Sequence, residues 1–227
     1  MNITVFQYPK SKHTRSLTPR LFKRYQTYKR YLQLEFSRTC VYCRQPDSSA
    51  PNLNFGVDHY KPKGVAKFAH LVCDYQNLYY CCGSCNSRKN NDWPVNEKDG
   101  PYIVNPCDYI MSQHLRFDAG NGMMTVRSKF GEYTEELLQL NDHTQVEFRK
   151  TTLHALKLTA KELASLQDQK AQLSKLLADH KITAAVHDAE LNELNNEINL
   201  TETLIQNLTG TKPPLPLKKM RFGVALS

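Results

Sequence analysis

Two cysteine pairs, Cys40-Val-Tyr-Cys43 and Cys82-Gly-Ser-Cys85, constrain this chain more than any other feature. Each CxxC puts two thiolates on one tight turn, and two such turns brought together form a tetrahedral four-sulfur cage, the closed geometry of structural zinc. Cys40, Cys43, Cys82 and Cys85 are the expected ligands. Cys81 adjoins Cys82 and is the competing choice, which the CxxC spacing disfavours. The cage draws together the two ends of a stretch that contains Val57-Asp58-His59-Tyr60-Lys61-Pro62, and the second pair runs directly into Asn86 and Lys89. Since four thiolates complete the cage, Asp58, His59 and Asn86 are left for a second site. Seven cysteines is an odd count, and four of them stand at metal spacing, which argues for a reducing compartment, the cytoplasm by default. Cys73 and Cys107 read as small buried residues.

The chain has 227 residues, enough for one medium domain and an appendage. It contains no apolar run of membrane-spanning length, and its first residues lack the pattern of a secretory signal, so neither a membrane span nor export is expected. The net charge of +8 is unevenly placed. Residues 1–110 carry 16 Lys or Arg against 8 Asp or Glu, whereas residues 111–227 carry 14 of each. No acid precedes Glu35, while Lys10, Lys12, Arg15, Arg20, Lys23, Arg24, Lys29 and Arg30 interleave with Phe22, Tyr25, Tyr28 and Tyr31. Such a segment attracts a polyanion by phosphate neutralisation and counterion release; as an isolated run it is equally a solvated helix face.

The fold class expected is α+β, in five pieces. Residues 1–38 form a basic extension with a short strand and an amphipathic helix from Thr18-Pro19 to Phe36. Residues 39–110 form the cysteine-bracketed core, with a strand over 54–59 and a helix opening near Cys85. Residues 111–142 hold a β-hairpin and linker, since Leu115–Ala119 and Met123–Arg127 flank Gly120-Asn121-Gly122. Residues 143–210 are leucine-rich and helical, with a break of register around 180–186. The first arm is mainly basic and the second acidic, which favours an antiparallel helical hairpin over one long dimerising helix. Residues 211–227 make a Pro-rich basic tail, with Lys218-Lys219-Met220-Arg221 after Pro213, Pro214 and Pro216.

Hydrolysis of a phosphodiester needs an activated water, a cation for the growing negative charge, and a brace for the base. His59 can take the proton of the water. Asp58 and Asn86 can offer one carboxylate and one amide oxygen to a hard cation, leaving positions for water and phosphate. Neighbours on a strand face opposite ways, so Asp58 and His59 can serve one centre only if the strand bends or ends there.

These residues resemble the HNH endonucleases of the ββα-metal fold: CxxC, then Asp-His before Lys-Pro, then Asn-Leu, then CxxCN with Lys three residues on. The resemblance implies His59 as general base, Asp58 and Asn86 as ligands of a catalytic magnesium or manganese, and Asn77 as the brace of the loop. It implies Lys89 as a phosphate contact, with Lys61 and Arg88 as further substrate-binding residues. The motif is the Asn-ending, H-N-N variant with a four-Cys zinc knuckle. Tyr28–Leu32, Asp74–Tyr79, Trp93-Pro94, Leu138–Asn141 and Arg149 extend the similarity to bacterial HNH proteins of phage-defence systems, Septu-like and retron-linked among them. There the nuclease acts with an ATPase, so DNA and an ATPase docked on the helical hairpin are the implied partners; a homo-oligomer follows from the alternative of one long dimerising helix.

A zinc ribbon without catalysis explains the cysteines but gives no reason for Asp58, His59 and Asn86 to follow the pattern. A non-catalytic zinc-knuckle adaptor for nucleic acid is the alternative function. His70 reads as a surface or core residue, and His114, His143, His154, His180 and His187 have no partner at useful spacing.

Overall fold

The computed structural model of the chain describes residues 5–49, 54–98 and 100–211. The expected basic tail lies outside these residues apart from Thr211, as does the start of the expected N-terminal strand; residues 5–15 carry no strand. The described residues form a mixed α and β structure with two separate two-stranded antiparallel sheets.

The first sheet pairs β1 (Phe55–His59) with β2 (Leu78–Cys82), from Phe55 opposite Cys82 to His59 opposite Leu78. Every residue of β2 is buried, because aromatic side chains cover both of its faces. Tyr79 stacks on Phe36 at 5.5 Å and Tyr80 on Phe55 at 5.2 Å. Aromatic residues suit a pleated surface packed on both sides. The chain then turns at once into α2 (Gly83–Lys89).

The N-terminal helix is shorter than its periodicity suggests. A 3-10 turn over Tyr25–Tyr28 leads into α1 (Lys29–Glu35), and Arg24, the residue before the turn, is extended. Glu35 explains the difference. Its buried carboxylate accepts from the Ser16 amide at 2.8 Å, the Leu17 amide at 3.0 Å, the Ser16 hydroxyl, His13 and the Tyr75 hydroxyl. The Phe22 amide donates to the Tyr28 hydroxyl. Helix propensity is worth tenths of a kcal/mol per residue, whereas hydrogen bonds to a buried charge contribute about 1.5–3 kcal/mol each. The tertiary bonds therefore draw residues 13–22 back along α1. Burial alone would raise the Glu35 pKa, but the Ser16 and Leu17 amides outweigh it and hold the carboxyl below its ordinary value.

The second sheet pairs β3 (Leu115–Asp118) with β4 (Met123–Val126) across the Gly120-Asn121-Gly122 turn. A ten-residue helix, α3 (Lys129–Leu138), then fills what the sequence offers as linker. Its start was legible: Ser128 caps it by accepting from the Gly131 amide at 3.0 Å, and Glu132 lies in the first turn.

Two long helices, α4 (His143–Ala178) and α5 (Ala184–Thr209), pack against each other as a hairpin. Their junction over residues 179–183 is set by His180 in the left-handed region at φ 55° and by Thr183, whose hydroxyl caps α5. At 36 residues, α4 is about 54 Å long, well beyond what the core needs to cover. Both ends of the hairpin are anchored. Arg149 of α4 is 1% exposed and donates to the carbonyls of Gly122 at 2.6 Å and Leu140 at 2.7 Å. At the far end of α5 the Ser48 hydroxyl bonds the Asn207 carbonyl, and Gly210 at φ 71° lies so close to Pro46 that a Cβ would meet it at 2.8 Å. Glycine is required there twice over, by conformation and by space.

Candidate functional site

The four-sulfur cage is assembled by two turns joined to β2. In the first, the Cys40 carbonyl accepts from Arg44 at 3.1 Å, and the Cys40 amide donates to the Gln45 carbonyl at 2.9 Å. The Val41 amide donates to the Tyr80 carbonyl at 3.1 Å and so ties this turn to β2. In the second, Cys82 ends β2 and caps α2, its sulfur accepting from the Cys85 amide. The sulfurs of Cys40, Cys43, Cys82 and Cys85 all lie within 4.8 Å of one another, and all four residues are buried. The Cys43–Cys82 separation of 3.7 Å is close to the edge of about 3.8 Å required by a tetrahedron of zinc–sulfur bonds of about 2.3 Å. These four side chains can hold a structural zinc ion. Cys81 stays outside the set, with its thiol on the Cys82 carbonyl at 3.2 Å.

The electrostatics point the same way. Burial would raise the Cys40 pKa, but hydrogen bonds from Cys43, Cys81, Cys82 and Cys85 more than offset it and push the thiol well down. Cys43 and Cys85 are pushed well up, chiefly by those same thiol contacts. A thiolate is thus favoured at Cys40 beside thiols at Cys43 and Cys85, a state that a divalent cation relieves.

His59 ends β1. Its Nε2 is 3.0 Å from the Val72 carbonyl. A carbonyl only accepts, so Nε2 carries the hydrogen and Nδ1 keeps its lone pair. Tyr25 lies edge-on to the ring at 4.6 Å, and Lys63 donates to the Tyr25 hydroxyl at 2.9 Å. Burial is the main cause that lowers the His59 pKa below its ordinary 6.5, against the opposing pull of the Val72 carbonyl and Asp58. The ring is therefore a neutral, oriented imidazole at neutral pH.

Asn77 pins the loop after β1. Its Oδ1 accepts from the Lys61 amide at 2.8 Å, and its Nδ2 donates to the Lys61 carbonyl at 3.0 Å and to Leu71 at 3.4 Å. The same loop carries Val72, so this side chain sets the partner of His59 indirectly. The Lys61 ammonium lies near the rings of Phe68 and Trp93 and 3.8 Å from Glu97, part-exposed.

Asp58 faces the other way, because β1 stays paired and regular through His59. Its carboxylate is 3% exposed, with one oxygen accepting from the Tyr42 hydroxyl at 2.6 Å and the other 3.1 Å from the Lys89 ammonium. Lys89 is fully buried and also donates to the His59 carbonyl at 2.7 Å. Its charge is thus engaged inside the fold, away from the phosphate contact expected of it. Arg88, also expected as a substrate contact, donates to the Leu138 and Gln139 carbonyls at the C-terminus of α3 and pairs with Asp142 at 3.7 Å. Asn86 is half-buried on α2, its amide nitrogen 3.9 Å from where a Cβ on Gly56 would stand. Asp58, Asn86 and Lys89 thus share the β1–α2 interface, while His59 belongs to the opposite face. His70 is exposed.

Sequence reasoning missed Tyr42, Tyr25, Val72 and Glu35. Tyr42 carried the only local signal, as a hydroxyl-bearing aromatic inside the first CxxC turn.

A stretch of 144 residues is 24% identical to the Septu protein PtuA of Bacillus mycoides (strain KBAB4). It is a distant relative. The match covers 53% of this chain and 20% of that protein, so the chain spans about a fifth of the length of the curated relative it matches. No family model and no solved structure matches the chain.

Proposed function

We propose that the chain is an HNH-type endonuclease that hydrolyses phosphodiester bonds of nucleic acid, DNA in the first instance. The observation that carries the reading is His59, a neutral imidazole fixed through Nε2, with Nδ1 left to accept a proton, at the end of the strand that precedes the stapled β2–α2 unit. In this reading a water gives its proton to His59 Nδ1, and its oxygen attacks phosphorus. The bond to the 3' oxygen breaks, and that oxygen takes a proton from solvent, which leaves 5'-phosphate and 3'-hydroxyl ends. Lys61 and Lys63 take over the phosphate contacts expected of Lys89 and Arg88, being the exposed or part-exposed cations beside Asn77 and Tyr25. The distant likeness to a Septu protein supports an anti-phage role, with an ATPase partner as part of the same proposal.

The resemblance also implies magnesium or manganese on Asp58 and Asn86, and oxygen donors suit such hard cations. The side chains as they stand do not fit that ion. Both oxygens of Asp58 are engaged, and the Lys89 ammonium at 3.1 Å already supplies the positive charge. A divalent ion reaches this carboxylate only in competition with Lys89.

The test is cleavage of labelled DNA, with magnesium and then manganese, by the wild type and by His59→Ala. Loss of the base is expected to slow cleavage by about 10²–10⁴-fold. Since burial lowers the His59 pKa, the base form persists into mild acid, and the rate should fall only as pH drops through a value below 6.5. Equal cleavage by both proteins would remove His59 from the chemistry and the reading with it. The saturated Asp58 favours one other reading, a non-catalytic zinc-knuckle adaptor; a wild type that binds nucleic acid and never cleaves it selects that one.

A further inference from the structure

A basic trough crosses the second sheet, on the face that the core leaves uncovered. In the register of β3 and β4, Arg116 stands opposite Thr125, and Arg127 continues the ladder by donating its amide to the His114 carbonyl at 2.9 Å. Leu115, Phe117 and Met124 turn inward, so Arg116, Thr125 and Arg127 share the exposed face. Two hollows of about 530 and 380 Å³ adjoin there, with Gln7, Arg116 and Arg127 lining both. Lys10 lines the larger hollow with Ser112. Among the described residues none of Lys10, Arg116 and Arg127 has an ion pair. The carboxylate in the smaller hollow, Asp118, is tied to the Gly120 amide at the hairpin turn.

We propose that this trough binds the phosphate backbone of a nucleic acid strand, at a site separate from His59. Diagonal neighbours on paired strands are about 7–8 Å apart, so two guanidinium forks on one face can hold different phosphates of a single strand. Adjoining hollows that share unpaired cations suit a ligand with a charge at every nucleotide better than one compact anion. The path of the chain adds an independent argument. From Lys10 the acid-free segment runs to Tyr25, which covers the His59 ring, and Lys12, Lys23 and Arg24 are exposed along the way. A strand held in the trough thus has further exposed cations available on the segment that ends at the imidazole.

The experiment is anisotropy of labelled single-stranded and duplex DNA, without added magnesium, over a salt titration. Wild type is compared with Arg116→Ala/Arg127→Ala and with Arg116→Lys/Arg127→Lys. Losing two phosphate contacts should weaken binding at low salt by about tenfold or more and lower the slope of log K against log salt by about 1.4 for single strands or 1.8 for duplex. The lysine pair should keep the wild-type slope. Unchanged affinity and slope in the alanine pair overturns the proposal. So does a lysine pair that loses both binding and melting temperature, which would mark a structural role. Tighter binding of polyglutamate than of DNA would assign the trough to an acidic polypeptide instead. The site stands apart from the nuclease reading: a wild type that binds through these arginines but never cuts keeps the trough and refutes the nuclease, and the reverse result does the opposite.

Discussion

Cys40→Ser is expected to unfold the β1–β2–α2 unit, as is removal of the metal from the wild type by a strong chelator. Structural zinc contributes apparent free energies of about 10–16 kcal/mol in small metal-folded peptides, against a total stability of about 5–15 kcal/mol for an ordinary domain. The cage is the junction of the first turn, β2 and α2, so its loss frees all three together. Zinc content, circular dichroism and thermal melting read the effect. Cys81→Ser is the control and should keep its zinc, because that thiol lies outside the four-sulfur set. A Cys40→Ser protein with wild-type melting and wild-type zinc would refute the cage.

Lys89→Met should be the most damaging change outside the cysteines. Lys89 and Asp58 are both buried, and removing one partner of such a pair costs about 3–5 kcal/mol because the other charge is left uncompensated. Methionine keeps the length and apolar stem of the lysine, so lost charge rather than a cavity dominates the result. Added manganese should restore part of the melting temperature in Lys89→Met and have little effect on wild type, since the ion then takes the vacated position on Asp58. A loss below about 1 kcal/mol would mean that Tyr42 and the surrounding backbone satisfy Asp58 without Lys89. Recovery in neither protein would remove Asp58 as a metal ligand.

The elements legible in the sequence were those governed by local rules. The Gly120-Asn121-Gly122 turn and the leucine spacing with its break near His180 follow from chirality, periodicity and turn chemistry, which act within a few residues. The start of α1 was not legible, because Glu35 recruits Ser16 and Leu17 from 19 and 18 residues away. Helix α3 has a local start signal in Ser128, but beside the stronger turn signal of the hairpin its residues read as linker.

The same division runs through the site. The cysteine spacing, the Asp58-His59 dipeptide and the Asn77 and Asn86 positions proposed the side chains of the candidate site, since ligand and acid–base chemistry is written in residue type. What each can do was decided by the tertiary fold. It gave His59 its tautomer through Val72 and its cover through Tyr25, and it closed Asp58 between Tyr42 and Lys89. The physical reason is desolvation. Only a folded chain removes water from a lysine and a carboxylate together, and Lys89, a surface cation by type, becomes an internal counter-charge once it is buried.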